Sequence, residues 1–188
     1  MTSIFIAMPV LLADSGLDIN SHWQVYLPVL FLSFVFMVPM LIIAAKKSKE
    51  KQLFIFAIGL VLLASLLMNM ANSLWPLVFT LFVFFVGFNF LEASLPAHVS
   101  RLAPAGQKGT AMGVYSSSQF LGAFFGGLTG GYIAEQFGFS YLFAANAVVA
   151  LLWWVLALGM RLPASSKRVS IQIEPKAEDA YQSLIDKL

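Results

Sequence analysis

Cysteine is absent from the 188-residue chain, so no disulfide framework and no thiolate chemistry is available to it. Histidine is scarce. His22 and His98 lie far apart, with no further ligand at metal-binding spacing around either, so no metal site is expected. Charge is scarce too. Only 11 % of the residues are Asp, Glu, Lys or Arg, against about 25 % in an ordinary soluble domain. With 60 % of its residues hydrophobic, such a chain has too little polar surface to stay dispersed in water. The composition therefore points to a membrane protein. No nucleophile–base constellation, metal cluster or phosphate-binding loop is visible, so neither an enzyme nor a cofactor is expected. Nucleic-acid binding has no support, because membrane topology explains the basic residues.

What the chain does have is long apolar runs. A helix needs about 20 apolar residues to cross the hydrocarbon core. Five segments meet that length: about Trp23–Ala45, Gln52–Met70, Trp75–Ala97, Thr110–Ile133 and Tyr141–Met160. A sixth stretch, Met1–Ala13, comes first. As a helix it is only about 20 Å long, too short to span. No basic residue precedes its apolar part, and the "ADSGLDIN" that follows is a polar loop rather than a cleavage site. It reads as the second half of a transmembrane helix, not as a signal peptide. The expected fold is an all-α membrane protein: a six-helix bundle over residues 1–160 with its first helix truncated, then a cytoplasmic tail or linker over 161–188.

The charges orient the bundle. "KKSKEK" at 46–51 carries four lysines, and Arg101 and Lys108 follow in the 98–109 connection. The other five basic residues lie from Arg161 onward. The opposite connections, 14–22, 71–74 and 134–140, hold Asp14, Asp18 and Glu135 and no Lys or Arg. Basic residues near helix ends stay in the cytoplasm, so the tail and the basic loops are expected there. Trp23, Trp75 and Tyr141 begin spans on the outer side, as interfacial aromatics do. Pro28 and Pro39 fall inside the second segment and are expected to kink or loosen it.

Against this background Glu92 stands out. It follows a run from Leu74 to Leu91 without a single charge. It lies roughly 9 Å past its helix midpoint, on the cytoplasmic side. A charged carboxylate at the bilayer centre costs on the order of 2.5–3.5 kcal/mol, and less off centre. Such a group is held uncharged by a proton, lines a hydrated cavity where it meets a cation, or anchors a neighbouring helix. Asn89 is three residues away, and Tyr115, Ser118 and Gln119 of the next span fall at similar depth. Asn89, Glu92, Tyr115 and Gln119 are expected to gather in one polar cluster, lining a cavity or satisfying one another. Further along the fifth span, Gly122, Gly126, Gly127, Gly130 and Gly131 offer small residues for close helix packing.

The stretch "GFNFLEASLPAHVSRLAPAGQKGTAMGVYSSSQFLGAFFGGLTGGYI" (87–133) resembles the tenth and eleventh helices of a major facilitator superfamily transporter, with the loop between them. "HWQVYLPVLFLSFVFMVPM" (22–40) resembles the eighth helix. The resemblance is to the drug:proton antiporter branch; it covers about Met1–Met160, is specific over 87–131 and is looser elsewhere. It implies the C-terminal half of a twelve-helix transporter of the bacterial inner membrane, a proton-coupled exporter of small molecules or drugs, or an uptake system, working by alternating access. Among the residues themselves, Glu92 is the candidate for the protonatable, proton-coupling position. The partners it implies are the lipid bilayer, protons, a small-molecule substrate, and an N-terminal half or a second copy. The "AAKKSKEKQ" loop keeps the basic charge of the family's gate motif but lacks its glycine–acid–arginine pattern. In the tail, "VSIQI" alternates like a short strand, and an apolar stripe with helical spacing follows Pro175. Two other readings stay open: a non-transporting membrane protein that binds through its glycine face, and an inactive truncated product.

Overall fold

The computed structural model describes residues 2–46, 49–71, 73–104 and 106–160. The expected tail, with its strand and helix, lies outside the described residues. Among the described residues there are six α-helices and no strand. They are α1 (Thr2–Asp14), α2 (Trp23–Lys46), α3 (Glu50–Met68), α4 (Leu74–Leu102), α5 (Lys108–Phe137) and α6 (Phe139–Gly159). Four reaches of helix are long and apolar enough to cross a membrane: Ile19–Lys46, Glu50–Met68, Leu74–Leu102 and Phe139–Gly159. The helix α5 is longer still, but its glycines, serines and glutamine make it less apolar. This is a multi-pass membrane protein, and its surface agrees. Phe31 and Leu156 are both more than 70 % exposed, on helices with no charge in their middle.

Successive long helices run in opposite directions. Lys46, Glu50, Arg101 and Lys108 gather at one end, called here the basic end. Trp23, Trp75 and Tyr141 open α2, α4 and α6 at the other, where all three are well exposed. The core forms around α4, which packs on α2, α3 and α5. Phe84, Phe90, Leu81 and Leu91 of α4 are almost fully covered, as are Ile58 and Ala64 of α3 and Leu142 and Phe143 of α6. At Gly87, α4 meets the α3 backbone: a Cβ there would stand 2.7 Å from the Ala57 carbonyl oxygen. Lys51 adds a tie at the basic end, donating to the Leu158 carbonyl at 2.9 Å. There it satisfies an orphan acceptor in the last turn of α6 and meets the negative end of its dipole.

Two boundaries differ from the expected ones, each for a local reason, and the prolines of α2 do not interrupt it. The expected fourth span ends at Ala97, but α4 continues through Pro96 to Leu102. Its C-cap, Ala103, is extended because it precedes Pro104, and residues before proline avoid the helical region. The expected outer connection at 134–140 shrinks to one residue, Gly138. Its φ of 89° is accessible to glycine at no steric penalty, so α5 and α6 turn into each other without a loop. Finally, α2 is continuous across Pro28 and Pro39. Each proline removes one amide donor, yet the helix persists because α4 and α3 pack along it.

Candidate functional site: a carboxylate at the seam of α4 and α5

Glu92 is half-buried on α4, about 15 Å from the basic end of that helix at 1.5 Å per residue. Its partner is Gln119 of α5. The Gln119 Nε2 amide donates to both carboxylate oxygens, at 3.1 Å to Oε1 and 2.9 Å to Oε2. Among the described residues no cation lies within ion-pair distance of it. The carboxylate is therefore held by a neutral donor and retains lone pairs that Gln119 does not use.

A cavity of about 470 Å³ opens beside this pair. Glu92 and Phe88 line it from α4, Gln119, Phe120, Gly122 and Ala123 from α5, and Thr2 and Phe5 from α1. Its apolar wall is an aromatic cluster. Phe5 meets Phe84, Phe85 and Phe88 edge-on at 5.7–6.2 Å, and Phe84 stacks on Phe88 at 5.5 Å. One carboxylate and one amide thus face an otherwise aromatic and small-residue surface. Such a surface orients a ligand through very few polar contacts.

The other expected site residues separate. Tyr115 stands one turn before Gln119 on the same face of α5, half-buried and close enough to feel the Glu92 charge. No hydrogen bond to Glu92 joins it among the described ones. Asn89 turns away from the cluster: its Nδ2 donates to Ser33 Oγ of α2 at 2.8 Å, and Ser33 in turn donates to the Leu30 carbonyl at 2.7 Å. Residues three apart are about 60° apart around a helix, and α4 sits between α2 and α5, so that angle is enough to send the two side chains to different neighbours. Ser118 is exposed and bonds back to the Val114 carbonyl of its own helix at 2.8 Å.

The glycines of α5 also divide. A Cβ on Gly130 would fall 2.4 Å from the Ser3 Cβ, so Gly130 is where α1 and α5 come closest. Gly127 is in ordinary contact range of Thr2. Among the described residues nothing outside the helix's own backbone lies within 4 Å of a Cβ at Gly122, Gly126 or Gly131. His22 is buried, with Nε2 3.2 Å from the Leu17 carbonyl where the chain enters α2.

Two polar links lie outside the expected set. Ser3 of α1 donates to Asn146 Oδ1 of α6 at 2.9 Å. At the basic end, Glu50 of α3 accepts from Arg101 and faces His98, both on α4. The signal for the second was present. With 98–102 helical rather than a loop, His98 and Arg101 fall three apart on one face.

The profile of the Major Facilitator Superfamily matches residues 1–184. The chain belongs to that family of membrane transport proteins. It is 43 % identical to the inner membrane transport protein YajR of Escherichia coli, over 97 % of this chain and 41 % of that protein. It is 32 % identical to an uncharacterized transporter, BU466, of Buchnera aphidicola, over 65 % of this chain and 32 % of the relative. It is also 33 % identical to the riboflavin transporter RibZ of Clostridioides difficile, over 53 % and 21 % of the two chains. The chain spans less than half the length of each of these relatives.

Proposed function

We propose that this bundle works as the C-terminal half of a proton-coupled secondary transporter. It would export small molecules by alternating access, as an antiporter of the bacterial inner membrane. Glu92 takes up and releases the proton, and Gln119 holds its carboxylate. The observation that carries this reading is the Glu92–Gln119 pair: an acid inside a membrane bundle, held by a neutral donor and open to a cavity of about 470 Å³. An intramembrane carboxylate in that setting is a functional-site hypothesis by default. Tyr115 and the aromatic wall complete the surface that a substrate meets. The basic end faces the cytoplasm, by the distribution of Lys and Arg. A relative bearing an inner-membrane name supports that membrane.

The test is flux in everted membrane vesicles from cells making the protein from its own gene. Extrusion of a dye panel driven by a pH gradient falls at least about tenfold in Glu92→Gln, a loss of about 1.4 kcal/mol or more. Undiminished proton-driven flux in that variant would remove Glu92 from the mechanism.

A second reading has its own observation. Gly122, Gly126 and Gly131 are open to a second helix surface, and small residues allow close helix approach in membranes. A membrane protein that assembles through this face without transporting would have a stable complex and no substrate-dependent flux. In the transporter reading, the same face meets an N-terminal half or a second copy.

A further inference from the structure

At the basic end, one carboxylate holds two helices together. Glu50 opens α3, and its Oε1 accepts from the Arg101 guanidinium near the end of α4. Its other oxygen, Oε2, lies 3.8 Å from His98 Nδ1. That is longer than an N–H···O hydrogen bond, which runs about 2.7–3.2 Å. Glu50 therefore has one strong partner and one position that the imidazole stands beside without filling. The two groups are largely covered: Glu50 is 16 % exposed and His98 14 %, whereas Arg101 is 53 % exposed.

The ring has one firm wall and one open side. Phe54, one turn after Glu50, meets it edge-on at 5.9 Å, and Trp153 of α6 stands behind Phe54 at 6.1 Å. Beside the ring is a pocket of about 70 Å³, lined in part by Ala44, Ala45, Ser94 and Ala97. It leaves room for the imidazole to shift. The charged groups facing the ring among the described residues are Glu50, from α3, and Arg101, from its own helix. From α2 the pocket receives only Leu41 and the two alanines, α6 contributes Trp153, and Lys51 is turned to the Leu158 carbonyl.

We propose that Glu50, His98 and Arg101 form a pH-sensitive clasp that joins α3 to α4 more tightly when the His98 ring is protonated. A neutral imidazole carries one N–H, whereas the protonated ring donates from both nitrogens. Protonation thus gives Glu50 Oε2 a cationic donor in place of a neutral neighbour, at a covered position where solvent screens the attraction little. Arg101 stays charged and keeps its bond to the Glu50 carboxylate on both sides of the His98 titration. The protonated ring is the low-pH form, so the tighter clasp lies on the acid side of the His98 titration. The clasp fixes the last turns of the helix that carries Glu92, and it does not depend on the transport reading.

The absence of cysteine makes the test clean. A Lys49→Cys, Leu102→Cys variant of the full chain in lipid nanodiscs carries two spin labels at exposed sites. The inter-label distance distribution is expected to be shorter and narrower at about pH 4.5 than at about pH 8, a range that covers a histidine titrating at or below its free value. His98→Gln makes the two distributions coincide in the broader form. His98→Arg makes them coincide in the narrower one. In the unlabelled protein, ¹⁵N NMR of the His98 ring follows its protonation. Glu50→Gln moves the His98 midpoint down by about half a pH unit or more, because an opposite charge is lost. The proposal is overturned if the distributions match at both pH values in the parent, if pH dependence survives in His98→Gln, or if Glu50→Gln leaves the His98 titration in place.

Discussion

The helices α4 and α5 are neighbours of almost equal length, 29 and 30 residues, yet ten residues of α4 are buried and only Gly130 of α5. The difference is one of position. The helix α4 has neighbours on three sides, so polar groups along it must find partners: Thr80 bonds its own helix, Asn89 reaches α2, and His98 and Arg101 reach α3. The helix α5 lies at the margin and leaves most of its face uncovered by this chain. Glu92 and Gln119 meet across the seam between the two. The acid therefore stands on the more closely packed helix, and its partner on one that the described residues grip at few points.

Substitutions along the two helices break or sharpen that contrast. The largest effect is expected at Phe84, which has no exposed surface and touches three other phenylalanines. Phe84→Ala is expected to lower stability by about 3 kcal/mol. Phe120→Ala on α5, where the ring is 73 % exposed, changes it by less than about 0.5 kcal/mol. Thermal unfolding midpoints in detergent compare the two, and equal shifts would end the contrast. Next comes glycine. At Gly87→Ala the new methyl meets a backbone oxygen that cannot swing away, for about 1–3 kcal/mol. Gly126→Ala meets open space and stays within about 0.5 kcal/mol. Smaller again is Asn89→Leu. Loss of the bond to Ser33 is expected to cost about 0.6 kcal/mol, the mean for an interhelical bond in a membrane, and at most about 1.7. A measurably larger shift would mean that Asn89 does more than tie α4 to α2. Smallest is Gln119→Leu, which removes a partly exposed bond and is expected to leave stability nearly unchanged; under the proposed function it lowers proton-driven flux, and unchanged flux would free Gln119 from that role.

How legible each part was in the sequence follows the same contrast. The spans of α2, α3 and α6 are continuous apolar runs, and transfer out of water alone sets them. The Glu92–Gln119 contact was legible because Glu92 is a single charge after the uncharged run Leu74–Leu91 and Gln119 falls at similar depth on the returning helix; the sequence leaves open whether the acid anchors that helix or serves a site. Asn89 was misplaced because spacing fixes an angle around a helix but not which neighbour occupies that angle. The link of Glu50 to His98 and Arg101 escaped because Pro96 and the basic residues after it resembled a loop. A proline inside a packed membrane helix need not end it, since neighbouring helices keep its position. The open glycines of α5 were legible as small residues, but their partner surface belongs to no described residue of this chain.

The claim that Glu92 exchanges a proton while held by Gln119 has a direct spectroscopic test. Infrared difference spectra of the protein in lipid, taken between alkaline and acidic buffer, show a carboxylic-acid carbonyl band for each acid that takes up a proton. The account predicts one band that is absent in Glu92→Gln and displaced in Gln119→Leu, because the oxygens of Glu92 then lose their amide donor. A spectrum unchanged by Glu92→Gln would contradict it, and would leave Glu92 as a fixed anchor between α4 and α5.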